Sequence, residues 1–255
     1  MPDSPFHFVS HGLTHVGLVR QRNEDSFLDR PEARLWIVAD GMGGHEAGDY
    51  ASATIVGALR SMAPFADLEE YTDEVRRKLA HVDVHLRARA KAIGPGTVIA
   101  STVVCLLAYG DEFAALWAGD SRLYQLRDGE LHQLSSDHSR VQELITAGLL
   151  TPEEVPGHPE AHIVTQAIGT GRLRFGTRVG RIQPGDRFLL CSDGLTNMVA
   201  DAEIAGELAA VEPRIAAERL LDRVLQAGAV DNVTIVVVAA EPVGLTTFAG
   251  TAEVS

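Results

Sequence analysis

Four short acidic segments in this chain each adjoin an apolar, strand-like run: RQRNED at 20–25, DGMGG at 40–44, SDG at 192–194 and Asp231-Asn232. A fold built from those runs would bring carboxylates that are distant in sequence to one set of strand ends. Such a cluster needs cations to relieve its mutual repulsion. Carboxylate oxygens with no Cys and few His nearby suit hard, octahedral Mg²⁺ or Mn²⁺ far better than zinc or copper.

The strand-like runs cover residues 6–19, 35–39, 102–109, 113–118, 123–126, 131–134, 163–168, 188–191 and 233–239. Between two of them, RDGE at 127–130 carries an Asp-Gly pair, a strong hairpin signal, so those neighbours should be antiparallel. From Leu68 the apolar positions Tyr71, Val75, Leu79, Val82, Leu86, Ala90 and Ile93 recur at three and four residues, the stripe of one long amphipathic helix. Further helices are expected over 47–62, 201–211 and 213–227, with capping signatures at Ser139 with Gln142 and at Thr151, Pro152 and Glu154. Strands in runs and helices in pairs indicate an α+β fold, and two antiparallel sheets packed face to face with a helix pair on each outer face would use both pairs.

With 255 residues, 45% of them hydrophobic, the chain can bury one large core or two modest ones. No linker, low-complexity stretch or repeat divides it, so one domain is expected over 1–255, with a core at about 12–240 and a short tail at 241–255. The start, MPDSPFHFVSHG, lacks the basic region and apolar run of a signal peptide, and no apolar stretch approaches a membrane span. The expectation is a soluble, cytoplasmic monomer with no membrane partner. Cys105 and Cys191 both lie within apolar runs, where buried free thiols are expected. The formal charge of −13 argues against a nucleic-acid partner, which would need a basic surface. It does not exclude a phosphorylated substrate, because bound divalent cations can reverse the local field.

In this order, with AGDSR at 118–122 between them, the acidic segments resemble the metal-dependent protein phosphatases of the type 2C family, over about residues 12–240. The resemblance implies a four-layer α-β-β-α sandwich with its metal site between the sheets. It makes Asp40 the bridge between two metal ions, with the Gly41 carbonyl on one of them, and makes Asp193 and Asp231 ligands of the second. Asp120 would hold a third, weaker ion, while Glu24 and Asp25 would hold metal-bound waters. Arg20 would grip the phosphate: a guanidinium matches two phosphoryl oxygens, and its spacing agrees with the family pattern RxxNxD. The implied cofactor is Mn²⁺ or Mg²⁺, two ions or three. The implied reaction is in-line attack on phosphorus by a water activated between two cations, with no phosphorylated residue on the path.

Taken singly, each motif has a plainer reading. DGMGG is a Gly-rich turn after a strand, SDG and Asp231-Asn232 are turns, and Asp120 is a residue in a connecting turn. Glu24 and Asp25 fit a solvated turn, and Arg20 a surface salt bridge to either of them. A dinucleotide-binding turn is disfavoured, since Glu46 stands where the third glycine belongs and Asp40 would face the pyrophosphate. The ordered set, not any member, carries the signal.

One departure from the family concerns the proton for the leaving group. Many eukaryotic relatives have His directly after the DG, where this chain has Met42; His45 is the nearest replacement, with His162 and a metal-bound water behind it. A surface His at a helix start is the alternative for His45. Residues 137–161, broken by Gly148, Pro152, Pro156, Gly157 and Pro159, look like the flap that bacterial members carry beside the active site. The resulting expectation is a phosphoserine/phosphothreonine protein phosphatase of the bacterial stand-alone type. It would oppose a cognate Ser/Thr kinase on shared phosphoprotein substrates, a pairing that also occurs in type VI secretion gene clusters. The competing reading, a pseudophosphatase or phosphoprotein-binding regulator on the same fold, is disfavoured by the intact Asp40, Asp193, Asp231 and Arg20.

Overall fold

A computed structural model of the chain describes residues 4–43, 47–63, 65–171, 173–209 and 212–244. Among the described residues, eleven strands form two antiparallel sheets: β1 (Phe6–His15), β2 (Asp25–Arg30), β3 (Leu35–Met42), β4 (Ala100–Ser101), β5 (Val103–Tyr109), β6 (Glu112–Ala118), β7 (Arg122–Arg127), β8 (Glu130–Gln133), β9 (Gly176–Arg181), β10 (Arg187–Cys191) and β11 (Val233–Pro242). The first sheet has the order β1-β11-β10-β7-β8, and the second β2-β3-β5-β6-β9 with β4 paired to β3.

Period-two alternation decides which layer each side chain enters. Along β3, Leu35, Ile37 and Ala39 point to one buried cluster, and Trp36 and Val38 to another. Along β11, Val233, Ile235 and Val237 face away from the second sheet, while Val236, Val238 and Ala240 face it. Between the sheets the Phe8 and Trp36 rings lie 5.3 Å apart and those of Phe113 and Phe188 5.2 Å apart, so aromatic pairs tie one sheet to the other.

Helices close both outer faces. α1 (Ala47–Leu59) and α2 (Leu68–Ile93) cover the second sheet, burying Ile55, Leu59, Tyr71, Leu79 and Leu86 against it. α5 (Asp201–Ala209) and α6 (Pro213–Gln226) cover the first with Ile204, Leu208, Leu220 and Val224. Two short helices, α3 (Arg140–Thr146) and α4 (Asp193–Thr196), complete the set. The expected four layers are all present. α2 starts where Asp67 accepts the Glu70 amide at 2.7 Å, and α3 where Ser139 accepts that of Gln142. The Asp128-Gly129 pair takes positive φ at both residues, 51° and 83°, as a tight β7–β8 hairpin requires.

Several expectations need correction. The run at 163–168 is no strand: only two isolated bridges, Ser101 with Ile168 and Ser139 with Val164, tie it down. β1 ends at His15 rather than 19, because the chain turns at Gly17 (φ 81°) and the Leu18 amide bonds the Ala229 carbonyl instead of a ladder partner. The α2 stripe ends at Ala90, for Ile93 is 63% exposed. β2, β9 and α4 had no expected counterpart. Cys105 and Cys191 are buried free thiols, in opposite outer layers, as expected. Among the described residues no helix is long and apolar enough to cross a membrane.

Candidate metal and phosphate site

The carboxylates meet where strand ends of both sheets face each other. In the second sheet Asp25 opens β2 directly opposite Asp40 near the end of β3. In the first sheet β10 lies between β11 and β7, with Cys191 opposite Ile235 on one side and Arg122 on the other. Asp193, two residues past Cys191, therefore emerges between Asp231, just before β11, and Asp120, just before β7. Adjacent antiparallel strands bring one strand's end beside its neighbour's beginning, as the sequence pattern required.

Backbone proximity depends on missing side chains at two places. A Cβ on Gly194 would lie 1.9 Å from the Asn232 carbonyl oxygen, so only glycine lets the turns carrying Asp193 and Asp231 touch. A Cβ on Gly41 would lie 2.0 Å from the Gly48 carbonyl oxygen, so the glycine after Asp40 lets the end of β3 pass under the first turn of α1. The Thr102 amide bonds the Asp40 carbonyl at 2.8 Å, and its hydroxyl lies 2.7 Å from that of Ser121, joining the Asp40 and Asp120 turns.

Electrostatics mark this as one cluster. Burial, followed by the charges of Asp25, Asp193, Asp120 and Asp231, holds the Asp40 carboxyl well above the usual carboxylate range. Burial and Asp231 push Asp193 up; its hydrogen bond from Asn197, at 3.1 Å, and nearby His162 offset this. Asp120 is pushed up to about 7, by burial first and Asp193 next. Burial and Asp49 raise Glu24, against the opposing effects of Arg20 and the Gly48 amide. Burial and mutual repulsion thus raise Asp40, Asp193 and Asp120 together.

Asp25 is neither a solvated residue nor a bystander. It is 7% exposed, and its Oδ2 accepts from the hydroxyls of Ser192 at 2.8 Å and Thr234 at 2.7 Å. Its Oδ1 is buried with no hydrogen-bond partner among the described residues. Burial raises its pKa, with the two hydroxyls opposing. An orphaned carboxylate oxygen in an all-oxygen cluster fits a hydrated hard cation. Among the described residues no three His, Cys, Asp or Glu side chains close into an ion cage.

Arg20 stands at the rim. Its Nη2 donates to Asp231 Oδ2 at 2.8 Å, which raises its pKa. The salt bridge expected with Glu24 or Asp25 is thus made to Asp231 instead, across the two sheets' loops. The remaining guanidinium donors have no partner among the described residues. Sequence reasoning missed Asn232 as a clamp. Its Nδ2 donates to the Val16 and Arg22 carbonyls, both at 2.9 Å, and its Oδ1 accepts the Glu24 amide at 2.8 Å, so it fastens the Arg20 loop to Asp231. The roles of Thr234 and Ser192 were missed too, though a polar residue inside the run NVTIVVV and the Ser of SDG itself were visible signals.

Other expected residues are placed less centrally. His162 is exposed, near Asp193, and His45 lies outside the described residues. The 137–161 segment holds only α3 and a single 3-10 turn at Pro152–Glu154, the short pieces its Gly and Pro content implied. Its root is fixed: Asp137 receives Arg122 Nη2 at 2.7 Å, and His138 stacks on Trp117 while its Nδ1 accepts the Gly119 amide at 3.3 Å.

Comparison with known proteins gives a consistent result. The sequence profile of protein phosphatase 2C matches residues 15–231. The serine/threonine protein phosphatase PstP of Mycobacterium tuberculosis is 38% identical over 235 residues, which are 87% of this chain but 43% of that protein, so the chain spans less than half of that relative's length. Among solved structures, PppA, described as a key regulatory component of T6SS in Pseudomonas aeruginosa, is 43% identical with a TM-score of 0.85, covering 92% of this chain and 98% of that one. The PstP catalytic domain in complex with 2 manganese ions is 35% identical with a TM-score of 0.81, covering 92% and 99%.

Proposed function

The chain belongs to the protein phosphatase 2C family, and from that premise we propose that it hydrolyses phosphoserine and phosphothreonine on proteins with Mn²⁺ or Mg²⁺ as cofactor. The observation that carries the reading is the convergence of Asp25, Asp40, Asp120, Asp193 and Asp231 from both sheets on one mutually destabilising cluster. The manganese in the PstP structure supports the choice of cation.

Asp40 would bridge two ions with the Gly41 carbonyl on one, Asp193 and Asp231 would hold the second, and Asp120 would take a third, weaker one. Asp25 and Glu24 would hold water around them, with Asp25 fixed by Ser192 and Thr234. When bound, such a cation pair supplies a hydroxide nucleophile at neutral pH and offsets charge on the phosphoryl oxygens. Arg20 orients the phosphate through the guanidinium donors that Asp231 leaves free. His45 or His162 protonates the leaving seryl or threonyl oxygen, and the 137–161 flap borders the substrate's path. The phosphatase unit is one domain, its sandwich running from Phe6 to Pro242, slightly beyond the expected 12–240.

The proposed substrates are phosphoproteins of a cognate Ser/Thr kinase. The likeness to PppA makes a type VI secretion system a reasonable setting. Phosphate release from phosphoserine, phosphothreonine and phosphotyrosine peptides, with and without Mn²⁺, tests the reading. Mn²⁺-dependent release from the first two is expected; binding of phosphopeptides without release would favour a regulator instead.

A further inference from the structure

Beside the carboxylate cluster lies a groove of opposite character. A cavity of about 680 Å³ is lined by Arg87 and Lys91 of α2, the loop from Gly94 to Val98, and Gly169-Thr170. A second, of about 350 Å³, is lined by Gln166, Gly171, Leu173 and Arg174. Arg87 joins the two, since a Cβ on Gly171 would lie 2.9 Å from the Arg87 Cδ. Among the described residues neither lining contains Asp or Glu, in a chain whose formal charge is −13.

The three cations are not equivalent. Arg87 is fixed: its Nε donates to Asp83 Oδ2 at 2.9 Å, while Asp83 Oδ1 accepts the Gly169 amide at 2.7 Å and that of Gly171 at 3.2 Å. Arg87 therefore forms a wall. Lys91 and Arg174 are exposed, and neither side chain has a hydrogen-bonding or ion-pair partner among the described residues. Lys91 in the last turn of α2 gains modestly from the helix dipole, but that gain does not account for Arg174, which lies on a loop far along the chain.

The groove is continuous with the proposed catalytic centre. Val98 lines it, and the Val98 carbonyl oxygen lies 2.3 Å from where a Cβ on Gly43 would stand. Gly43 is three residues past Asp40, a span of at most about 10 Å. Gly169 directly follows Ile168, which bonds Ser101 in both directions, at 3.0 and 2.9 Å, and Ser101 pairs with Gly41. The backbone leading out of the Asp40 turn thus packs on the groove's Val98, and a peptide held at the proposed centre would reach the groove a few residues from its phosphoresidue.

We propose that this groove docks acidic side chains of the substrate phosphoprotein that flank the phosphorylated residue, and so selects for acidic sequence around it. The proposal rests on the phosphatase reading. Carboxylates are favoured over a second phosphate because Lys91 and Arg174 sit on separate elements and line different cavities, whereas a phosphate is gripped by donors gathered on one group.

Three phosphothreonine peptides test it: one with Glu three to six positions away on both sides, one with Gln there, and one with phosphoserine there. In Lys91→Glu/Arg174→Glu, KM for the Glu peptide should rise roughly five- to tenfold, the scale of a few exposed ion pairs turned to repulsions. Its kcat, the KM of the Gln peptide and hydrolysis of p-nitrophenyl phosphate should be unchanged. Lys91→Gln should give a smaller rise in the same direction. Equal KM for the Glu peptide in variant and wild type overturns the proposal, and so does a rise shared by the Gln peptide. A rise confined to the phosphoserine peptide would assign the groove to a second phosphate and overturn the carboxylate assignment. Fluorescence anisotropy of the labelled Glu peptide reads docking without turnover: weaker binding to the variant sustains the groove even if the wild type proves inactive, and equal binding removes it.

Discussion

Asp25 and Asp40 stand directly opposite each other across β2 and β3. Two acids in register on neighbouring strands repel, and an ordinary sheet would not place them there. Here each has an anchor of its own: Asp25 through Ser192 and Thr234, and Asp40 through its backbone to Thr102. The pair is held together by its surroundings and against its own charges, which suits the proposed arrangement of Asp40 on the cations and Asp25 on the water around them.

Thr234→Val should weaken the hold on the ions without stopping the reaction. It removes a buried hydrogen bond of 2.7 Å to the Asp25 carboxylate, of a kind worth about 1.5–3 kcal/mol. The Mn²⁺ concentration for half-maximal turnover should rise severalfold, while turnover at saturating Mn²⁺ stays close to wild type. An unchanged Mn²⁺ titration would mean that Asp25 does not act through the ions.

Stability should depend on pH and metal together. A carboxyl whose folded pKa exceeds its unfolded value binds its proton more tightly when folded, so it favours folding at low pH and loses that contribution as pH rises through the window between the two values. For Asp120 that window runs from 3.8 to about 7, and Asp40 and Asp193 shift in the same direction. In chelator, Tm should fall from pH 5 to pH 7.5 beyond the change seen in Asp120→Asn. Mn²⁺ should raise Tm more at pH 7.5 than at pH 5. Scanning calorimetry checks both; a metal effect equal at the two pH values contradicts the repulsion argument.

Arg20→Lys should raise KM for phosphopeptides several-fold and leave the Mn²⁺ requirement nearly intact. An ammonium can still pair with Asp231 but cannot also present a planar fork to two phosphoryl oxygens. Steady-state kinetics on one phosphothreonine peptide decides it. A wild-type KM would leave Arg20 with only its ion pair.

Asp120→Ala should lower turnover yet leave two ions bound, because Asp40, Asp193 and Asp231 remain. Calorimetric titration with Mn²⁺ counts them. Turnover equal to wild type across Mn²⁺ concentrations would reduce Asp120 to a residue of the turn before β7.

How much of this was legible in sequence depends on how local each signal is. Asp40 and Asp193 follow apolar runs, and Asp231 precedes one, so strand-end acids are readable from the runs that flank them. Asp25 belongs to DSFLDR, where Asp25, Asp29 and Arg30 mask the apolar Phe27 and Leu28. Its strand exists because β3 beside it supplies the ladder. β9 is an edge strand whose residues are mostly exposed, so it carries no alternation to detect. Asn232 works through carbonyls more than 200 residues away in sequence, a relation no local pattern encodes. The run at 163–168 misled for the opposite reason. Ala167 and Ile168 are buried but Ile163 is 47% exposed, and the run meets no neighbouring strand over more than one residue at a time.

The central claim is that the cluster around Asp40 works by holding divalent cations. Its most direct test is phosphate release from a phosphothreonine peptide in chelator, then after adding Mn²⁺ back, for wild type and Asp40→Asn in parallel. Wild type should fall to background in chelator and recover fully with Mn²⁺, while Asp40→Asn stays folded by circular dichroism and inactive throughout. Full wild-type activity in chelator, or Mn²⁺-restored activity in Asp40→Asn, would contradict the account.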